Sequence, residues 1–239
     1  AIPSSTPQAT DAVPRNVSPI TVARGEKGKA RDLLSAVRTL KAIERERRLP
    51  TGEEREVLLR FAGFGHVGTS LLPGPGPHLF KAVSRLGVPN DATILEPGCG
   101  TGNFIHYAPS GCHFVGVELD LITGRIARVL HPDHDIRIEN FRDTHLPEGS
   151  IDAVVGNVPF ADLKLDYGGR KLSLHDYFFA KAVDALKPAG VLALVTTHYT
   201  LDKQNASLRK HLGSKDDFVG AVRLASDAFA YRHTDRQNR

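Results

Sequence analysis

The chain has 239 residues, 41% hydrophobic and 24% charged, with a formal net charge of +4 and an isoelectric point near 9.1. That length accommodates one full α/β domain with a short extension, and the composition excludes wholesale disorder. Two cysteines, Cys99 and Cys112, cannot form the framework of a disulfide-rich secreted protein, and no run approaches the roughly 20 apolar residues of a membrane span.

The slight basic excess suits a polyanionic partner. The N-terminus lacks a basic region followed by an apolar one, so no export is expected and the setting reads as cytoplasmic. Ala1 at the start and the absence of Met imply a lost initiator or a piece cut from something longer.

Residues 1–24 are rich in Pro, Ser, Thr and Ala without apolar periodicity, and read as a flexible lead-in. From Lys27 to Arg48, Leu33, Leu34, Val37, Leu40 and Ile43 recur at three- and four-residue steps, which predicts an amphipathic helix stopped by Pro50. Thr51 with Glu53 and Glu54 predicts an N-cap and a second helix through Phe61, ended by Gly63 and Gly65. Residues 25–66 therefore form a helical extension. Leu72-Pro73-Gly74-Pro75-Gly76-Pro77 cannot hold a regular element and reads as a linker. The rest, 67–239, alternates short β-rich runs (Thr93–Leu95, Phe114–Val117, Ile136–Ile138, Ala153–Val155, Val191–Val195) with helical stretches such as His175–Leu186. That alternation predicts a Rossmann-like, doubly wound, mostly parallel sheet with ligands at the carboxyl ends of its strands.

Glu96-Pro97-Gly98-Cys99-Gly100-Thr101-Gly102-Asn103-Phe104 follows directly on the strand Thr93–Leu95. Glycines let a backbone turn sharply and approach a ligand closely. The spacing matches neither GxGxxG nor the GxxxxGK[ST] phosphate loop. It resembles motif I of class I methyltransferases, which implies S-adenosylmethionine as cofactor, bound by Glu96, Pro97, Gly98, Gly100, Gly102, Asn103 and Phe104. Glu96 would face the ligand's positive end. The next strand ends in Glu118 about 20 residues after the loop, where a ribose-binding carboxylate belongs. Asp120 could do the same work, and either acid could instead cap the helix that starts near Ile122. The third strand ends at Glu139-Asn140-Phe141, which in this architecture flanks the cofactor's adenine. Asn140 could pair with the ring edge, and Phe141 could stack on it or belong to the core.

The fourth strand runs into Asn157-Val158-Pro159-Phe160. This tetrapeptide resembles the Asn-Pro-Pro-Tyr/Phe motif of amino-methyltransferases. By that resemblance the Asn157 side-chain oxygen and the next backbone carbonyl accept hydrogen bonds from a target NH2, and Phe160 stacks on a flipped base. Val158 departs from the usual proline but keeps the carbonyl. An Asn–Pro turn after a strand is the plainer alternative.

In order, these segments resemble the N6-adenine DNA methyltransferase family. More narrowly, they resemble the methylase region of large bacterial and phage or plasmid proteins that join a methylase to helicase-like domains. The likeness runs from Lys27 to Ala230 and includes Thr51–Gly65, Leu95–Phe104, Gly116–Gly124, Val154–Phe160, His175–Leu186 and Thr200–Gln204. It implies methyl transfer to adenine N6 in DNA, a restriction-modification setting, and a helicase-like domain or partner subunit alongside. RNA or a protein glutamine amide are alternative acceptors for such a motif. Two departures imply a further alternative, a truncated and catalytically weak relative that binds cofactor or DNA. Between Gly65 and Glu96 there is no Tyr-Thr-Pro or Tyr-Thr-Ser stretch, and Tyr231–Arg239 is polar where relatives continue into closing strands. Lys164, Asp166 and Arg170 follow the target motif in a segment that often faces substrate, and with Lys203 and Arg209 the basic ones are candidates for phosphate contact. The histidines lack HxH or HExxH spacing, so no metal is expected, and Cys99 has no base spaced to activate it.

Overall fold

A computed structural model of the chain describes residues 25–61 and 87–223. The expected lead-in over 1–24, the glycines Gly63 and Gly65, the linker at 72–77 and the polar Tyr231–Arg239 lie outside the described residues.

Helix α1 spans Gly25–Glu46 and α2 spans Gly52–Leu59. Thr51 Oγ1 accepts from Glu54 N at 3.2 Å while Glu54 Oε2 accepts from Thr51 N at 2.8 Å, a reciprocal capping box that satisfies two otherwise orphaned donors. Ala36, Leu40 and Ile43 of α1 bury their face against Leu58 of α2, Phe61, and Ile126 and Leu130 of a later helix. An ion pair between Glu44 and Arg125 and a 2.9 Å bond from Arg55 Nη2 to Leu130 O add polar ties to that packing.

The remaining elements are β1 (Thr93–Pro97), α3 (Asn103–His106), β2 (His113–Glu118), α4 (Leu121–Leu130), β3 (Asp135–Ile138) and β4 (Ile151–Asn157). They continue with β5 (Lys164–Tyr167), β6 (Arg170–Ser173), α5 (Leu174–Ala185), β7 (Leu186–Val195), α6 (Tyr199–Asp202) and α7 (Ser207–Gly213). Five strands form one parallel sheet in the order β3-β2-β1-β4-β7, with Leu95 beside Val115 on one side and Val154 on the other. Successive residues alternate between its two faces. Leu95, Val115, Val117 and Val154 pack under α5, whereas Ile94, Phe114, Ala153 and Val155 pack with Phe104, Ile105 and Ala127 on the opposite side. Both faces are covered, which is why β4 reads as an almost unbroken apolar run. The architecture is the expected Rossmann-like, doubly wound parallel sheet with a small helical N-terminal extension.

The chain winds outward from β1 to β3, then returns to β4 on the other side of β1. The crevice of a doubly wound sheet opens at such a reversal, above the carboxyl ends of β1 and β4. Glu96 and Asn157 stand at those ends.

A hairpin unforeseen in the sequence reading, β5–β6, follows the target motif. Its antiparallel register closes on Tyr167 and Arg170 around Gly168 and Gly169. Those glycines have φ of 54° and 72°, the pair of positive values that a tight two-residue hairpin turn requires. Among the described residues the main sheet ends at β7, and no helix is long and apolar enough to cross a membrane.

Candidate active site

The loop between β1 and α3 makes the site's floor. Gly98 N and Cys99 N both donate to Val117 O, at 2.8 and 2.9 Å, folding the loop back over β2. Gly98, Gly100 and Gly102 have φ of 73°, 58° and 81°, a left-handed region that favours glycine. A side chain at Gly100 would meet nothing within 4 Å, so this position lines open space. At Gly102 the opposite holds, because a Cβ would lie 2.5 Å from the ring of His131.

His131 is a site residue that sequence reasoning missed. It closes α4, is 7% exposed, and its Nε2 bonds Thr101 O at 3.2 Å, supporting the loop from below. Burial and the neighbouring His106 and His134 hold its pKa down at about 3, so the ring is neutral and Nε2 carries the donated proton. Thr101 lies 30 residues earlier, so no local pattern signals the contact.

Glu118 holds the loop from above: Oε2 accepts from Gly100 N at 2.9 Å and Oε1 from Asp120 N at 2.8 Å. Burial pushes its carboxyl above the usual range, opposed by those backbone donors. Each carboxylate oxygen has a second lone pair, so both can also accept a ribose hydroxyl. Asp120 is engaged elsewhere. Its Oδ1 accepts from Thr123 N and Thr123 Oγ1, at 2.8 and 2.6 Å, as the N-cap of α4.

Glu96 is 2% exposed. Burial raises its pKa well above the usual range, against the backbone N–H groups of Ile105 and Phe104 that favour its charge. Its Oε2 is buried with no hydrogen-bond partner among the described residues. A buried acceptor left open at the foot of a glycine cradle calls for a donor. The ammonium end of S-adenosylmethionine is one, and the carboxylate pair Glu96 and Glu118 fits a ligand carrying a cationic amino-acid part and a ribose.

Three expected ligand contacts change. Phe104 is 1% exposed within the core under the loop, so its ring cannot reach a ligand. Phe141 was expected beside the adenine. Its ring is 4% exposed and stacks on Phe178 at 4.7 Å, with the Lys181 ammonium 5.0 Å from its centre, so it belongs to the core. Asn140 is exposed, and its Oδ1 accepts from Arg142 N at 2.9 Å in a local turn, so one oxygen lone pair is engaged while the other, with the amide NH2, remains for a ring edge. Pro97 is buried at the end of β1, and Asn103 opens α3 with its side chain half-buried.

The target motif adjoins this floor. Asn157 ends β4, and its Oδ1 is buried with no hydrogen-bond partner among the described residues. Val158 turns its side chain into the core, 1% exposed, while its N donates to Val195 O at 3.2 Å. Pro159 reaches over the loop: its Cδ lies 3.6 Å from where a Cβ on Gly98 would stand. Phe160 is 38% exposed. The structure thus places a buried oxygen acceptor without a described partner and a rigid proline at the glycine loop, with an accessible aromatic ring next in the chain.

Lys203 and Arg209 were candidates for phosphate contact, but both serve the fold. Lys203 pairs with the buried Asp176 and approaches Ser173 Oγ at 3.4 Å, and Arg209 Nη1 donates to Lys203 O at 2.8 Å. Lys164, Asp166 and Arg170 are exposed on the β5–β6 hairpin. Cys99 is buried, and burial raises its thiol pKa well above the ordinary value, so it is no nucleophile. Among the described residues no group of three or more His, Cys, Asp or Glu could hold a metal ion.

Residues 95–194 match the family model described as a methyltransferase domain. Over 220 residues the chain is 30% identical to Defense against restriction protein B of Escherichia phage P1, covering 84% of this chain and 10% of that protein. The chain thus spans about a tenth of that relative's length. Its fold is similar to a Listeria monocytogenes protein assigned as a class I S-adenosylmethionine-dependent methyltransferase, with a TM-score of 0.52 and 15% identity over 77% of this chain and 79% of that one. It is also similar to the methyltransferase subunit of a type I restriction-modification system from Streptococcus thermophilus, with a TM-score of 0.51 and 21% identity over 66% of this chain and 42% of that one. Residues 95–194 therefore carry the likeness to a methyltransferase domain, and the two solved structures show the fold.

Proposed function

We propose that the chain takes S-adenosylmethionine and methylates the exocyclic N6 amino group of adenine in DNA. The observation that carries this reading is Asn157 Oδ1, a buried acceptor without a partner at the carboxyl end of β4, beside the glycine loop.

When bound, the cofactor supplies an electrophilic methyl group on a sulfonium. The work of the protein is to make an aromatic amine nucleophilic and to aim it. An exocyclic amine delocalises its lone pair into the ring. Asn157 Oδ1 and the Val158 carbonyl, accepting one N–H each, would draw the nitrogen toward a pyramidal geometry with its lone pair directed at the methyl carbon. Orientation of this kind supplies several kcal/mol of a transfer barrier, on the order of that measured for well-aligned intramolecular reactions. A strong general base is not required, because the nitrogen becomes acidic once alkylated and its proton can leave to solvent. Phe160 offers an accessible ring on which a flipped base can stack, and Pro159 fixes the backbone between acceptor and ring.

The name of the phage P1 relative, Defense against restriction protein B, supports DNA over RNA or protein as the acceptor. A DNA substrate and two free cysteines, Cys99 and Cys112, agree with a cytoplasmic setting. A helicase-like domain or partner subunit alongside would open the duplex for base flipping. Incubation with methyl-labelled cofactor and DNA, RNA or a glutamine-containing protein in parallel tests the reading. Label is expected in DNA, and label confined to RNA or protein would reject it.

A further inference from the structure

We propose that the outward face of α1 is a docking surface for the phosphate backbone of duplex DNA. The inference rests on the DNA reading above for its choice of polyanion, and on the helix itself for everything else.

Lys27, Arg31, Arg38, Lys41 and Arg45 lie four, seven, three and four residues apart in turn. At 3.6 residues per turn those steps keep all five within about 40° of one line along the helix, over a length of about 27 Å. All five are exposed. No acidic residue between Lys27 and Arg45 falls on that line: Asp32 and Glu44 point more than about 90° away from it, and Glu44 is engaged by Arg125. Among the described residues Arg45 has a carboxylate partner, Glu46 at 3.4 Å, whereas no ion pair forms at Lys27, Arg31, Arg38 or Lys41. The opposite face of the helix is buried through Ala36, Leu40 and Ile43, so α1 is held on the domain with its basic line outward.

An ordinary solvated helix intersperses both signs, because i,i+4 pairs stabilise it and a single-sign row repels itself. A row of five cations along about 27 Å, four of them without an ion pair among the described residues, is costly unless a matching row of anions faces it. Duplex DNA carries one negative charge per roughly 1.7 Å of axis, dense enough to meet every member of the row. Leu34, 53% exposed, sits in the same line between Arg31 and Arg38 and forms with Lys27 the wall of a shallow depression. Its methyl groups can pack on the sugar edge between phosphates. Contacts of this kind carry no sequence information; they position the domain on the duplex while the glycine-loop crevice receives the base.

The test measures binding of the whole chain to a labelled duplex oligonucleotide by fluorescence anisotropy, across about 50 to 200 mM salt. The triple variant Arg31→Gln, Arg38→Gln, Lys41→Gln is compared with Lys29→Gln, Arg47→Gln, Lys210→Gln, which removes the same charge from exposed positions off the line. The first is expected to lower the slope of log affinity against log salt by about three and to weaken binding at low salt on the order of tenfold or more. The second is expected to leave the slope nearly unchanged. Both should bind S-adenosylmethionine as the parent does. Equal effects from both variants, or no DNA binding by the parent, would overturn the surface. So would binding of the parent to phosphatidylglycerol vesicles but not to DNA, which would make the stripe a membrane surface. The proposed reaction fails separately: a parent that shows the stripe-dependent slope yet methylates no DNA would keep this surface and lose the chemistry.

Discussion

Glu118 Oε2 accepts a hydrogen bond from Gly100 N at 2.9 Å, tying the end of β2 to the middle of the glycine loop. One carboxylate thereby shapes the cradle and keeps lone pairs that a ribose hydroxyl can meet. Removing it should loosen the loop and delete the ligand contact together. Glu118→Ala is expected to weaken S-adenosylmethionine binding by about 2 kcal/mol, or roughly 30-fold in Kd by calorimetry.

The same group sets a pH dependence. On the proposed reading ribose hydroxyls donate to the carboxylate, so binding favours ionised Glu118, whose pKa burial raises above 4.5. Cofactor affinity is therefore expected to rise with pH through that raised value and to fall below it. In Glu118→Gln the dependence from this site should vanish. A Kd that falls as pH is lowered from 7 toward 5 would contradict the assignment.

Gly100 and Gly102 separate space from strain. Both have positive φ, so either alanine variant carries a cost on the order of 1 to 2 kcal/mol from backbone conformation. Only Gly102→Ala also drives a Cβ into His131. Calorimetric scans should show a clearly larger drop in Tm for Gly102→Ala than for Gly100→Ala. Gly100→Ala should instead lose cofactor affinity, because its Cβ projects into the open cradle.

His131 makes acid sensitivity predictable in sign. Its folded pKa, about 3, lies below the ordinary 6.5, so the unfolded chain takes up the proton first as pH falls. Its contribution to stability is complete above pH 6.5 and is lost between 6.5 and about 3, at up to about 1.4 kcal/mol per pH unit. Denaturant titrations of His131→Gln should show a flatter loss over that window than the parent. An identical slope would mean that the ring is not buried and neutral.

The loop from Glu96 to Asn103 was legible because three glycines, an acid and a preceding apolar strand punctuate one short segment. The capping box of Thr51 and Glu54 was legible for the same reason, its partners being three residues apart. Contacts between distant residues were not. Nothing local assigns His131 to Thr101, or Lys203 to Asp176. Phe104 and Phe141 stood near the cofactor positions along the chain, and only the packing of the two sheet faces shows that their rings turn inward. The β5–β6 hairpin had a signal, Gly168-Gly169 between two alternating runs, but each run is only four residues long. Asn157 and Phe160 were named from a motif; the structure adds that the oxygen of the first is buried with nothing described to satisfy it.

Asp176, 2% exposed, pairs with Lys203. Lys203→Met alone should cost about 2 to 4 kcal/mol by chemical denaturation, since it strands a buried carboxylate, and Asp176→Leu combined with Lys203→Met should recover part of the loss. A double variant as unstable as the sum of its singles would show that the pair is not coupled.

The most direct measurement digests DNA after incubation with S-adenosylmethionine and quantifies N6-methyldeoxyadenosine by mass spectrometry, for the parent chain and for Asn157→Ala, with cofactor binding measured on both. The parent is expected to form the modified nucleoside, and Asn157→Ala to bind cofactor normally while its rate falls about 100-fold or more, the scale of losing one aimed hydrogen-bonding group at a reacting centre. Undiminished product from Asn157→Ala, or none from a parent that binds the cofactor, would contradict adenine N6 methylation at this site.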